Sequence, residues 1–285
     1  MKLYKYLHPD RVDVLRDARV RFTPPRSFND PFEMLPHVRA LAPRGEMLAK
    51  IAKGLPAALE EKYRDLPDDI KKSCSLEEFS THASSLLPGT RKEIEEHLEE
   101  FAPKMQEMFG KKFHETLGVL CLSEPPDSLL MWPHYADSHR GFVLEFNSEH
   151  PFFMQRRSES DEFCHLRKVT YQQERPSLIL SQVEDFTAFL TKSIQWAYEA
   201  EWRLLMPLDQ CTNVLNKDGE LIHLFDFPVS AITGVVLGAR MSDERRQEIV
   251  ATLKSLDIYS HIDLFEVEVD RECYRLNIKR NQLGK

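Results

Sequence analysis

The feature that most constrains this chain is a two-residue alternation of polar and apolar side chains, repeated in short stretches that lie far apart. In Arg19–Thr23, Val20 and Phe22 face opposite Arg19 and Arg21, which is the period of a half-buried strand. Pro24-Pro25 ends it, because neither proline can donate a ladder hydrogen bond. LYKY, GVLCLSE, GFVLEF, EWRLLMPL, Leu221–Phe225 and Ile232–Leu237 read as further strands, and LFEVEVD with YRLNIKR as a closing hairpin. Long separations between similar strands predict a mixed, mostly antiparallel sheet with attached helices, the α+β class. A helical turn is expected around Pro9–Asp17 and a helix over Glu184–Tyr198, with Phe186, Phe189, Leu190 and Ile194 on one side. Ser242 is placed to cap a last helix, with Asp243 and Glu244 in the first turn where the dipole favours acids.

Between about Pro43 and Glu115 the texture changes to Glu, Lys, Ala and Leu. This block predicts helices broken at Pro56, Pro67, Pro88-Gly89 and Pro103, with one apolar stripe through Ile94, Leu98, Phe101, Met105 and Met108. The expectation is a single α+β domain, 1–285, carrying a helical insertion at 43–115. The plain role of the insertion is packing, and a lid or a protein-binding surface is the alternative.

Composition narrows the function classes. With 42% apolar and 29% charged residues the chain is ordinary globular material. A formal net charge of −8 disfavours a broad nucleic-acid or anionic-membrane footprint. No apolar stretch reaches membrane-spanning length. MKLYKYLHPD lacks the apolar run of a signal peptide. Cys74, Cys121, Cys164, Cys211 and Cys273 form no CxxC, so reduced thiols in the cytoplasm are expected.

Three constellations carry candidate chemistry. In FNDPFE, Asn29 and Asp30 favour a side-chain-stabilised turn, and Pro31 keeps Asp30 out of helical geometry. Phe28 and Phe32 are expected to anchor the loop in the core and leave Asn29, Asp30 and Glu33 to aim elsewhere. In LMWPHYADSHRGFVLEF, Trp132, His134, Tyr135, Asp137, His139 and Arg140 crowd one connection between strands. Aromatic faces with donors beside them suit a flat ring ligand, whereas two histidines five apart are a weak metal signal. In WAYEAEWRLL, Glu201 and Arg203 share one strand face, and Glu199 sits at a helix C-terminus where the dipole is unfavourable to acids. Each constellation also has a structural reading: a self-satisfied turn, a buried Trp-Tyr-His cluster, and an Arg203 ion pair. Gly238 and Arg240 in VVLGAR precede a helix, but a single glycine is no phosphate loop.

LYKY, FTPPRSFNDPFE, VLCLSE, LMWPHYADSHRGFVLEF, the VTY of Val169–Tyr171, WAYEAEWR and VVLGAR occur in that order. Together they resemble domain of unknown function 2971, a bacterial family. A looser similarity is to ADP-ribosyltransferase-like folds, which split a sheet around bound NAD. That resemblance implies NAD as substrate, no metal, and Glu201 beside an oxocarbenium-like ribose. It further implies Tyr135 stacked on nicotinamide, with His134, Arg140 or Arg203 holding hydroxyls or pyrophosphate, and Glu199 orienting or deprotonating an acceptor. Tyr4 or Tyr6, Tyr135 and Glu201 fall in the chain order of such enzymes. Tyr4, Tyr6, Asn29, Asp30, Trp132, Arg140 and Arg203 are thus the expected ligand-binding set. The opening strand lacks the usual His or Arg, so Lys5 or Arg21 would have to substitute.

The fullest expectation is an NAD-using ADP-ribosyltransferase-like enzyme of bacterial defence or stress response. Its partners would be a small-molecule nucleotide and, through the helical insertion, a protein. Two alternatives stay open: a non-catalytic sensing or interaction module, and a metal-dependent hydrolase or nuclease using Asp30, Glu33, Glu199 and Glu201.

Overall fold

The computed structural model describes residues 1–40, 42–43, 45–86 and 91–281. From the N-terminus run β1 (Lys2–Leu7), α1 (Asp13–Asp17), β2 (Arg19–Phe22), β3 (His37–Ala40), α2 (Glu46–Arg64), α3 (Asp68–Ser73), α4 (Leu76–Leu86) and α5 (Arg91–Thr116). Next come β4 (Leu117–Ser123), α6 (Met131–Tyr135), β5 (Phe142–Asn147), β6 (Leu166–Lys168), β7 (Thr170–Gln172), β8 (Ser177–Ile179) and β9 (Thr191–Ser193). The chain closes with β10 (Glu201–Pro207), β11 (Asn213–Lys217), β12 (Glu220–Asp226), β13 (Ile232–Leu237), α7 (Asp243–Ser255), β14 (Asp263–Val269) and β15 (Leu276–Asn281).

The chain divides into two compact units. One comprises Met1–Leu35, Lys112–Arg175 and Phe186–Lys285, the other Pro36–Lys111 with Pro176–Asp185. In the second unit β3 pairs with β8 in parallel, and α4 opens with a reciprocal cap between Ser75 and Glu78. Tyr63 ties α2 to the end of α3 by donating its hydroxyl to the Cys74 carbonyl at 2.7 Å. Pro56 and Pro103 do not break their helices, contrary to expectation; both lie inside continuous ones. Pro67 does mark a boundary, immediately before α3. Pro88-Gly89 and the side chains of Ile94, Leu98 and Phe101 lie outside the described residues. Of the expected stripe, Met108 is exposed.

The first unit is built on an eight-stranded sheet ordered β15-β14-β13-β5-β1-β4-β10-β6. Only β13 and β14 pair in parallel, so the sheet is mixed and mostly antiparallel as expected of an α+β fold. It is also split. Strand β1 pairs with β5 over its whole length, from Lys2↔Asn147 to Leu7↔Phe142. With β4 it makes one residue pair, Tyr4↔Ser123. Further along β4, Thr23 takes the edge instead, exchanging both backbone hydrogen bonds with Val119 at 2.9 and 3.0 Å. Between these two bridges the ladder is open at Cys121. Since a backbone carbonyl must find a donor, that of Cys121 accepts from Lys5 Nζ at 3.1 Å.

Side-chain alternation gives the sheet two cores. One face carries Leu3, Leu7, Leu120, Leu122, Phe142, Leu144 and Leu204, the other Tyr4, Tyr6, Val143 and Val236 with Trp132 packed on them. Strand β2 belongs to a three-stranded sheet, β11-β12-β2. Ser242 caps α7 as expected, its Oγ accepting from the Arg245 amide. The helix expected over Glu184–Tyr198 is absent. That stretch forms 3-10 turns at Thr187–Leu190 and Ile194–Glu199 on either side of β9. Its aromatics find a distant partner instead, with Phe186 and Phe189 stacked on Phe113 of α5. Among the described residues no helix is long and apolar enough to cross a membrane.

Candidate functional site

FNDPFE folds as its residues dictate in one respect and not in another. Asp30 accepts from the Phe32 amide at 2.9 Å and closes the expected turn. Asp30 is buried in that role and does not line the cavity described below. Phe32 is 61% exposed, with the Arg175 guanidinium 5.3 Å from its ring centre, so it does not anchor the loop in the core. Asn29 and Glu33 turn inward to the cavity.

The HYAD stretch is held by its backbone. Asp137, Ser138 and His139 all have positive φ, at 44°, 54° and 70°; left-handed geometry costs a residue with a side chain about 1–2 kcal/mol. The surroundings fix it. The His139 carbonyl accepts from the Arg240 amide at 3.0 Å, and that of Gly141 from the Gly238 amide at 3.0 Å. A Cβ on Gly141 would lie 2.0 Å from the Leu7 carbonyl oxygen, so only glycine fits. VVLGAR is therefore a clamp for this loop.

Trp132 is wholly buried, donates Nε1 to the Pro126 carbonyl at 2.9 Å, and lies between Tyr6 and His139. It pins α6 and has no face left for a ligand, which corrects its expected role. Arg140 is paired with Asp137 at 3.2 Å and also lies outside the cavity lining. His134 and Tyr135 project from the pinned helix. His134 Nδ1 is 2.9 Å from the Tyr198 hydroxyl, and Tyr135 donates to Glu199 Oε1 at 2.6 Å.

Glu199 and Glu201 reach the same place because Ala200 between them adopts φ 43° and reverses the chain. The Glu201 amide donates to the Tyr171 hydroxyl at 2.8 Å, tying β7 to the start of β10. A closed ionic network follows. Lys192 of β9 donates to Glu199 Oε2 at 2.6 Å and Glu201 Oε2 at 3.1 Å, and lies 3.5 Å from Glu33 Oε2. Arg203 grips Glu201 with Nε at 2.8 Å and Nη2 at 3.0 Å, and Nη2 also contacts Glu33. All five side chains are buried.

Burial in such a site disfavours every charge, and the partners decide which charges persist. Burial lowers the affinity of Lys192 for its proton, but Glu201, Glu33 and Glu199 outweigh it and hold the ammonium charged. Glu201 is pulled below the usual carboxylate range against its own burial by Arg203 and Lys192. Glu33 is pushed up to about 7, by burial first and then by the Glu201 and Glu199 carboxylates, against the pull of Arg203 and Lys192. Burial, reinforced by Glu199, also raises Tyr135. The acids do gather as a metal site would require, but Lys192 already occupies their shared centre. Among the described residues no group of three His, Cys, Asp or Glu is arranged to hold a metal ion.

A cavity of about 330 Å³ opens onto this network at the split in the sheet. Tyr4, Tyr6, Phe28, His134 and Tyr135 give it aromatic walls; Glu33, Lys192, Glu199 and Glu201 form its polar end. All three sequence constellations meet here. Of the expected residues, Tyr4, Tyr6, Asn29, His134, Tyr135, Glu199 and Glu201 line it, whereas Asp30, Trp132, Arg140 and Arg203 do not. Glu201 is gripped by two cations, Lys192 and Arg203, so it is no free carboxylate. Sequence reasoning missed Lys192. The signal available was a lone lysine among Phe189, Leu190 and Ile194, in a segment whose apolar spacing was assigned to a helix.

The fold and site thus define an α+β protein with a split mixed sheet and one aromatic-walled, ion-paired cavity at the split. Residues 131–204 match the model of a family described as a protein of unknown function, DUF2971. The match runs from α6 through the HYAD loop to EWRL in β10, and supports the resemblance carried by those motifs. No curated protein and no solved structure matches the chain.

Proposed function

We propose that the cavity binds the nicotinamide-riboside half of NAD and cleaves the nicotinamide–ribose bond, passing ADP-ribose to an acceptor. The observation that carries this reading is the convergence of Asn29 and Glu33, His134 and Tyr135, and Glu199 and Glu201 on one cavity. Aromatic walls suit the flat nicotinamide ring. The network holds three acids against two bases, so with Glu33 ionised it carries surplus negative charge, which stabilises a ribosyl cation as it forms. Glu199, which meets one cation, Lys192, and the Tyr135 hydroxyl, is the carboxylate offered to the forming cation. Glu201 acts as a positioning residue through its grip on Lys192 and Arg203, and Glu33 accepts the acceptor's proton. A second cavity of about 880 Å³ shares Lys5, Tyr6, Arg21, Thr23 and Tyr135 with the first, and provides room for the rest of a dinucleotide.

The closed network also favours a second reading, a site that senses the nucleotide without turning it over. One experiment separates them. NAD is titrated calorimetrically and nicotinamide release followed by proton NMR, with Glu199→Gln as control. Release that Glu199→Gln abolishes supports the transferase. Saturable binding without release supports the sensor, and a folded protein that neither binds nor releases sinks both.

A further inference from the structure

Two lysines line the first cavity, and their surroundings are opposite. Lys192 touches three carboxylates. Lys5 makes no ion pair among the described residues, and its Nζ donates one hydrogen bond, to the neutral Cys121 carbonyl. By strand alternation Lys5 leaves β1 on the face of Leu3 and Leu7, both in the main core. Its half-buried stem therefore lies along the main core while its amine reaches the gap between β1 and β4. Lys5 lines the first cavity and the larger second one, so a ligand in either meets it.

We propose that Lys5 is a carbonyl-reactive amine, condensing reversibly with the aldehyde or ketone group of a small anionic ligand seated where the two cavities meet. The amine lone pair attacks the carbonyl carbon. The carbinolamine then loses the former carbonyl oxygen as water, which carries away both N–H hydrogens, and a C=N bond replaces C=O with no net oxidation or reduction. A lysine must be uncharged to attack, and burial among apolar groups favours that form. The groups facing Lys5 act in both directions, and burial decides. Burial is the largest influence on its proton affinity and lowers it; Arg11 and Arg21 lower it further, while Cys121 of β4 and Glu201 of β10 oppose them. Arg21 supplies the anion's partner: its Nη2 is held by Glu220 at 2.5 Å, but its Nε is buried without a hydrogen-bond partner and the residue lines both cavities. An unpaired buried donor is costly, and an anionic ligand would satisfy it.

The test uses the full chain and pyridoxal 5′-phosphate, an aldehyde carrying an anion. The imine is fixed with borohydride and its position mapped by peptide mass spectrometry across a pH series. Lys5 is expected to be labelled at least tenfold faster than exposed lysines such as Lys2 and Lys279, at a pH where those remain protonated, and excess inorganic phosphate should slow it. Lys5→Met should remove the fast label while keeping an unbranched, uncharged side chain in the same packing. Equal labelling of all lysines, or a fast label that persists in Lys5→Met, overturns the proposal. Because labelling of the unsubstituted protein is read without NAD, its failure and a failure to cleave NAD are separate results.

Discussion

Tyr4 and Ser123 are the one residue pair at which β1 meets β4, and the cavity exists because the two strands part beyond it. Were they paired through Cys121, the ladder would close and its carbonyl would bond to backbone rather than to Lys5. The sheet gives up a few backbone hydrogen bonds there, each worth a net of about 0.5–1.5 kcal/mol. In exchange, a pocket forms in the middle of an otherwise continuous sheet.

Arg203→Met should destabilise the protein by about 3–5 kcal/mol, because it leaves Glu201 and Glu33 buried without their shared guanidinium. Urea unfolding at neutral pH measures it. Adding Glu201→Gln to that variant should restore part of the loss; strictly additive costs would show that the two residues are not energetically coupled.

Stability should fall as pH rises from about 4.5 to about 7, through Glu33. Its ordinary value of 4.5 applies to the unfolded chain, while the folded protein keeps the proton up to about 7. The folded state therefore binds more protons in that window, so its advantage is complete below the window and lost by the top of it. Glu201, lowered in the fold, acts in the opposite sense and loses its contribution as the solution becomes more acidic. Urea midpoints across this range should slope downward for the natural sequence and flatten in Glu33→Gln.

Tyr135→Phe removes the hydroxyl that Glu199 accepts at 2.6 Å but retains the ring. A lost hydrogen bond to a charged group is worth about 1.5–3 kcal/mol, so the variant should stay folded with a lower melting temperature. Nicotinamide release should drop at least tenfold while NAD binding changes little. An unchanged rate would show that this hydroxyl does not position Glu199 for the proposed chemistry.

Gly141→Ala should be among the most damaging single changes outside the ionic network. Its Cβ would press within 2.0 Å of a backbone oxygen that cannot swing away. The HYAD loop would have to detach from β1 and from the Gly238 clamp. Near-ultraviolet circular dichroism should report loss of the Trp132 environment together with a large fall in melting temperature; a native-like spectrum would contradict this account of the clamp.

A period-two pattern placed β2 within a residue, because one buried face of a strand forces alternation locally; β10 and β13, buried on both faces, were legible as short apolar runs. The Asp30 turn and the Ser242 cap were equally legible, being contacts between residues two or three apart. The segment 184–198 was misread for a related reason. Its apolar spacing suits a helix, but Phe186 and Phe189 pack on Phe113, and Lys192 is drawn into β9 toward three acids. Those partners lie elsewhere in the chain or on the far side of a backbone reversal, and no local pattern encodes them.

By itself the sequence determined the class of fold, most of its strands, and the three stretches that carry the site's polar and aromatic groups. Tertiary structure decided which of those groups face a cavity: Tyr135 and Glu199 do, Trp132 and Arg203 do not. It also decided that Glu201 is neutralised rather than free, and that Lys5 meets no counter-ion among the described residues. The physical reason is range. Alternation, turns and caps are set by neighbours along the chain, whereas burial and charge pairing are set by whichever distant residues the folded sheet brings within a few ångströms.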